Sequence, residues 1–167
     1  RSAAGRPRFA FAGPAAMLRS VFRLSHGKGM RDGFTLHERL AADCITLDDW
    51  PLCRVLLMND ESYPWLILVP RRANLSEFHD VAEADKAQLM AEIDRASRAL
   101  QSSFRPDKIN VGALGNMVAQ LHIHAIARLK PDPAWPGPVW GKQPPVPYGA
   151  GKLQERVETL KAHFSEM

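Results

Sequence analysis

Residues 120–128 read Gln120-Leu121-His122-Ile123-His124-Ala125-Ile126-Ala127-Arg128, and polar side chains recur at alternate positions along most of the stretch. Because side chains two residues apart point to the same face of a strand, this alternation predicts a half-buried β-strand over about residues 118–129. One face carries an amide, two imidazoles and a guanidinium. The other face is apolar and is expected to lie on the core. The strand therefore brings two histidines side by side, and the sequence concentrates its chemistry there.

Upstream of this strand, hydrophobic periodicity predicts one helix and three strands. Apolar residues at four-residue spacing predict a helix over 34–44, followed by a short strand over 45–47. Apolar runs predict two further strands over 52–58 and 65–69, the second stopped by Pro70. Since the connection between these two strands is short, we expect them to form an antiparallel hairpin.

A long amphipathic helix is predicted between this hairpin and the histidine strand. It runs over about residues 82–103, and Asp80 and Glu83 are spaced as a capping box at its start. A strand over 108–111 then leads through a glycine-containing turn into the histidine strand.

The segment 131–149 contains seven prolines, a density that excludes a helix or a central strand. Trp135 and Trp140 are expected to anchor this stiff segment to the surface, and a last helix is predicted over about residues 152–165. The order helix, strands, helix, strands, helix predicts an α+β fold, with an antiparallel sheet of about five strands and helices packed on it.

Charge is unevenly distributed along the chain. Residues 1–31 hold seven Lys and Arg and no acid, a net +7, whereas the remaining 136 residues hold 15 Lys and Arg against 18 Asp and Glu, a net −3. The leader is expected to be disordered and resembles a transit-like or tag-derived segment, or sequence upstream of a later start. The domain predicted over 32–167 is mildly acidic, so no specific nucleic-acid partner is expected.

The cysteine content and hydropathy indicate the compartment. Cys44 and Cys53 are too few for a disulfide framework, which favours a reducing, cytoplasmic location. No apolar run approaches the 18 residues that a transmembrane helix needs, so no membrane partner is expected.

Three interpretations of the histidine pair compete. A zinc site needs at least a third ligand, and the other histidines are scattered while no acid lies near His122, which weakens the metal interpretation. A structural role, with both rings held by hydrogen bonds, stays open. The third interpretation is nucleophilic chemistry on phosphate, because a neutral imidazole is a nucleophile near pH 7. The turn over 110–116 would add amides, and its glycines let backbone N–H groups approach an anion.

At these residues the chain resembles the histidine triad (HIT) superfamily of nucleotide hydrolases and transferases. The motif of that family is His-x-His-x-His on a strand that follows a glycine-containing loop, and here it reads Gln120-x-His122-x-His124. The hairpin over 58–71 resembles the nucleotide-binding hairpin of the family, and 132–141 resembles the tail of a bacterial subgroup. The resemblance covers about residues 34–141.

The resemblance implies roles for the strand residues. His122 matches the middle histidine, which attacks the α-phosphorus of a nucleotide and forms a nucleotidyl-histidine that water resolves. His124 matches the third histidine, which binds the phosphate and helps the leaving group. Gln120 takes the first triad position and can hydrogen-bond but not titrate. Trp65 stands where many relatives carry a further histidine.

The resemblance also implies a substrate pocket. Asn110 matches an amide beside the phosphate, Gly115 and Asn116 belong to the loop near the leaving phosphate, and Asn59 or Asp60 matches the residue that holds the ribose. The implied substrate is a nucleotide or a dinucleoside polyphosphate, and the implied assembly is a homodimer. No resident metal or cofactor is expected, although Mg²⁺ could accompany the substrate. The alternative function is a nucleotide-binding or sensing module with little turnover.

Overall fold

The structure, a computed structural model, describes residues 33–164, so the predicted leader lies outside the described residues. The elements in chain order are α1 (Glu38–Asp43), β1 (Cys44–Asp49), β2 (Cys53–Met58), β3 (Trp65–Pro70), a 3₁₀ turn (Phe78–Asp80), α2 (Glu83–Phe104), β4 (Lys108–Gly112), β5 (Ile123–Arg128) and α3 (Ala150–Phe164).

The strands form one antiparallel sheet in the order β1-β2-β3-β5-β4. The predicted α+β class, the five strands and the hairpin of β2 and β3 are confirmed. Strands β3 and β5 pair across the long α2 excursion, with Ile67 opposite His124. The topology therefore places the histidine strand beside the centre of the sheet rather than at its edge.

Both faces of the sheet are covered. The helix face is the one that α2 and α3 pack on, and it includes Val55, Leu57 and Leu66. The histidine face carries Ile67, Ile126 and the side chain of Trp65, together with residues from the Pro-rich segment. All six residues of β5 are consequently buried. The prediction of a half-buried strand is wrong, since the segment after β5 folds back over the polar face.

The predicted apolar stripes of the two long helices are confirmed. The buried stripe of α2 includes Leu89, Ile93, Ala96 and Leu100. That of α3 is Leu153, Val157, Leu160 and Phe164. None of the helices within residues 33–164 is long and apolar enough to cross a membrane.

One helix start and one helix cap differ from the prediction. Helix α1 begins at Glu38 rather than residue 34, because His37 caps it by accepting a hydrogen bond from Arg39 N. The predicted capping box at α2 is wrong. The Asp80 carboxylate instead accepts from the backbone N–H groups of Ser76 and Glu77 and closes the preceding 3₁₀ turn.

Strand β5 begins at Ile123, later than predicted, and the reason lies in its neighbours. The β3 register ends with Leu68 opposite Ile123, and Pro70 beyond it has no N–H to donate. The N–H of Leu121 goes to the carbonyl of Leu75 instead. His122 therefore lies just before the strand, outside the backbone pairing with β3.

Candidate active site

The backbone just before β5 determines the tautomer of His122. Its Nδ1 lies 2.6 Å from the carbonyl oxygen of Gln120. Because a carbonyl can only accept a hydrogen bond, Nδ1 carries a proton, and in the neutral tautomer the lone pair is on Nε2. The residue is 7% exposed, and within residues 33–164 no hydrogen bond occupies Nε2. In this tautomer Nε2 is the ring atom that can act as a nucleophile.

The opposite tautomer is assigned to His124. The indole Nε1–H of Trp65 donates to its Nδ1 at 2.9 Å, so that Nδ1 is unprotonated and the proton of the neutral ring is on Nε2. Burial, and after it the nearby His122, lowers the pKa of His124 to about 3, which keeps the ring neutral near pH 7. The centroids of the two imidazoles are 4.9 Å apart. As neutral rings, the pair therefore offers one lone pair and one N–H donor on two adjacent imidazoles.

Trp140 forms an aromatic wall beside this pair. Its ring centroid lies 5.6 Å from that of His124 and 6.1 Å from that of Trp65. A Cβ at Gly112, which pairs with His124, would stand 3.3 Å from Trp140 Cη2, so glycine admits the indole at that position. The Pro-rich segment is anchored by Trp140, as predicted, and the anchor borders the histidines.

Gln120 holds the N-terminal segment rather than the histidines. Its Oε1 accepts from the backbone N–H of His37 and its Nε2 donates to the carbonyl of Thr35, both at 2.9 Å. The side-chain amide replaces a peptide group in this pairing. The hydrogen bond between Gln120 and His122 uses the backbone carbonyl of Gln120 and not its side chain. The side chain at the first triad position is therefore hydrogen-bonded to residues 83 and 85 positions earlier in the sequence.

Replacing Gln120 with alanine is expected to loosen residues 35–37 and to lower the free energy of unfolding by about 1–3 kcal/mol, the value of two hydrogen bonds. Urea denaturation and amide hydrogen exchange over these residues would measure both effects. Gln120→Glu is the matched control, because it keeps the acceptor for His37 and loses the donor to Thr35. Unchanged exchange in the alanine variant would contradict the assignment.

Arg128 orients Asn110. Its guanidinium forms a bidentate pair with Asp132 at 2.7 and 3.0 Å, and its Nη1 donates to Asn110 Oδ1 at 2.8 Å. Because a guanidinium only donates, the amide oxygen of Asn110 is fixed on this side and its NH₂ faces away as a donor. Asn110 lies on β4 opposite Ile126, two residues from His124 along β5.

Arg128 is a buried strand end rather than a solvated one. The residue is 2% exposed, because Asp132 in the following turn supplies the charge that lets it be buried. The signal in the sequence for this pair is the acid Asp132, four positions after Arg128. The turn that brings the two side chains together was not predicted.

Asn59 and Asp60 bind the end of the Pro-rich segment. Asn59 Oδ1 accepts from the backbone N–H of Tyr148 at 3.0 Å, and Asp60 Oδ1 accepts from that of Val146 at 3.2 Å. The sheet register places Asn59 about 17 Å from His122 along the strand direction, five residue steps of about 3.4 Å. The described contacts of both residues are structural, and the ribose role stays a prediction.

The loop before the histidines has one position that requires glycine. Gly115 has φ of +76°, a left-handed conformation that side chains disfavour. The side chain of Asn116 beside it is exposed. Their predicted contact with the leaving phosphate stays a prediction. Within residues 33–164 no group of three or more His, Cys, Asp and Glu is placed to hold a metal ion, so the histidine pair has no third ligand there.

Comparisons with known proteins agree with this geometry. Residues 40–130 of this chain match the sequence model of the HIT domain family. A histidine triad protein of Bradyrhizobium japonicum is 47% identical, covers 78% of this chain and 98% of its own, and superposes with a TM-score of 0.77. One from Marinobacter aquaeolei VT8 is 48% identical, covers 80% of this chain and 97% of its own, and has a TM-score of 0.77.

A curated relative, AP-4-A phosphorylase of Mycobacterium tuberculosis, is 34% identical over 76 residues, which are 40% of this chain. The matched part spans 38% of the relative's length. The family match, the two similar structures and the Gln-x-His-x-His strand lead to one conclusion: this chain belongs to the HIT, or histidine triad, family.

Proposed function

We propose that this chain is a nucleotide hydrolase or nucleotidyl transferase that acts at the α-phosphate through a nucleotidyl-histidine on Nε2 of His122. The observation that carries the proposal is the pair of opposite tautomers. One imidazole presents a lone pair and its neighbour presents an N–H, so a phosphate between them meets a nucleophile and a donor at once. The similarity to AP-4-A phosphorylase supports nucleotide chemistry of this kind.

The proposed reaction has two displacements at phosphorus. The Nε2 lone pair of His122 attacks the α-phosphorus, and the bond to the leaving oxygen breaks with its electron pair on that oxygen. Water, or an acceptor such as phosphate, then attacks the same phosphorus. The bond from phosphorus to Nε2 breaks with its electron pair on Nε2, and an attacking water gives its proton to the solvent. The Nε2–H of His124 and the NH₂ of Asn110 would donate to the phosphoryl oxygens, where charge develops.

The proposed substrate is a nucleotide or a dinucleoside polyphosphate, with Mg²⁺ entering only alongside it. The proposed assembly is a homodimer, as the resemblance implied, in a cytoplasmic location. Strand β4 is at the edge of the sheet, and Val111 on it is 49% exposed, so this edge is open to a second copy.

The test is to trap the intermediate. The protein is mixed with a panel of adenosine and guanosine conjugates, quenched in acid-free denaturant and analysed by mass spectrometry for nucleoside monophosphate added to the peptide that contains His122. We expect an adduct there with at least one conjugate, together with release of the monophosphate. His79→Ala is the matched control, since His79 is 84% exposed in its side chain and is expected to leave the adduct unchanged.

A nucleotide-binding module with little turnover is the second candidate. Gln120 favours it, because the first triad position cannot titrate and its side chain is committed to Thr35 and His37. This candidate requires nucleotide affinity without an adduct or monophosphate release from any conjugate in the panel.

A further inference from the structure

We propose that Trp65 is a positioning residue that holds His124 as a permanently neutral hydrogen-bond donor, so that the leaving group departs without receiving a proton from this site. The site would then select conjugates whose leaving group is a weak base, such as a phosphate, over those that release an amine. This inference rests on the proposed function for its second half, whereas the role of Trp65 can be tested without turnover.

The contact that carries the inference is the 2.9 Å hydrogen bond from Trp65 Nε1 to His124 Nδ1. An indole nitrogen only donates, so the bond exists only while Nδ1 of His124 is unprotonated. In an imidazolium both ring nitrogens carry protons, and two N–H groups would face each other in a buried site. Trp65 and His124 are each 7% exposed, so water has little access to compensate.

The indole is fixed in place by neighbouring rings. Tyr63 and Trp140 lie edge-on to it, with centroids at 6.3 and 6.1 Å, and His124 itself at 5.4 Å. The rings of His122, Trp65 and Trp140 pack against His124. None of these three rings carries a negative charge that would stabilise an imidazolium. The surroundings therefore oppose a positive charge on His124, and its pKa is lowered to about 3 accordingly.

The other groups of the described site do not supply a proton either. The Gln120 amide does not titrate and is bound to Thr35 and His37. The Nδ1–H of His122 is given to the carbonyl of Gln120, and its Nε2 is the attacking atom. When the bond from phosphorus to the leaving group breaks, the electron pair therefore stays on the leaving atom. A phosphate oxygen carries that pair as a stable anion, whereas an amine nitrogen has to be protonated first.

The first arm of the test uses ¹⁵N-histidine NMR of the whole chain between pH 5 and 8, with His124 assigned by a His124→Asn variant. We expect an unprotonated Nδ1, a protonated Nε2 and no titration in this range. Trp65→Phe, which keeps an aromatic ring and loses the N–H, is expected to mix the tautomers and to lower kcat about 10-fold, the value of one hydrogen bond. Trp50→Phe is the matched control, because Trp50 is a buried indole in the cluster on the helix face.

The second arm compares an adenosine phosphoric anhydride with an adenosine phosphoramidate that releases an amine. We expect kcat/KM to be at least about 10²-fold higher for the anhydride, the factor that a general acid typically contributes. Equal turnover of the two, or titration of His124 near pH 6 in the wild-type chain, would overturn the inference. If no conjugate is turned over, the proposed function and the leaving-group preference fail together, and the NMR spectra alone decide the role of Trp65.

Discussion

Replacement of His122 by alanine is expected to lower kcat for nucleoside monophosphate release by at least about 10³-fold. The alanine methyl group has no lone pair, so the first displacement loses its nucleophile. The groups that donate to the phosphoryl oxygens then have no reaction to assist. Steady-state assays with the best conjugate of the panel would measure the loss, and the adduct on this peptide would disappear with it.

Binding separates this outcome from unfolding. The donors to the phosphate are His124 and Asn110, whose side-chain hydrogen bonds run to Trp65 and Arg128 rather than to His122. We therefore expect the variant to bind nucleotide within a few-fold of the wild type while turnover is lost. His79→Ala controls for the removal of a histidine. A His122→Ala chain that turns over normally would exclude the nucleotidyl-histidine mechanism.

The fold was largely predictable because it depends on burial periodicity. The apolar positions of α2 and α3 recur at helical spacing, and the histidine strand alternates at a spacing of two, so each element could be recognised within its own segment. The sheet order followed less directly, since β3 and β5 meet only after α2 has intervened.

The site was less predictable because its geometry comes from contacts between distant residues. The sequence indicated His122 and His124 as a pair but not their tautomers, which depend on a carbonyl nearby and on Trp65, 59 positions away. Gln120 was assigned to the first triad position, and no local pattern showed that its amide pairs with residues 35–37. Trp65 was recognised only as the residue at the position of a further histidine, and its hydrogen bond to His124 was not predicted.

The chain of contacts from Asp132 to Asn110 shows how a buried ion pair can serve the site. Asp132 fixes the guanidinium of Arg128, which in turn fixes the amide oxygen of Asn110. Because Arg128 binds the amide oxygen, the NH₂ of Asn110 points the other way, so the direction of this donor depends on the pair of Arg128 and Asp132. Loss of the acid should therefore disturb stability first and the orientation of Asn110 with it.

Asp132→Ala is expected to lower the free energy of unfolding by about 3–5 kcal/mol, the typical cost of removing one partner of a buried pair. The side chains of Arg128 and Asp132 are 2% and 4% exposed, so the guanidinium would be left buried without a counterion. The carboxylate also accepts from the backbone N–H groups of Leu129 and Ala134, which the variant leaves unsatisfied. Urea denaturation at pH 7 would measure the loss.

Two comparisons identify the cause of that loss. Adding Arg128→Met to Asp132→Ala removes the unpaired charge, so the double variant is expected to be no less stable than the single one, and a further large loss would contradict the buried-charge explanation.

The pH dependence gives the second comparison. Burial raises the pKa of Asp132, but the Arg128 hydrogen bonds and charge and the two backbone N–H groups outweigh it, so the pKa is lowered overall. The contribution of the pair is therefore complete above about pH 4, the usual range of an unfolded aspartate, and is lost as the pH falls through the lowered pKa. The difference in stability between the wild type and Asp132→Ala should shrink over that acidic range, and a difference that is constant down to pH 2 would show that the carboxylate charge does not stabilise the fold.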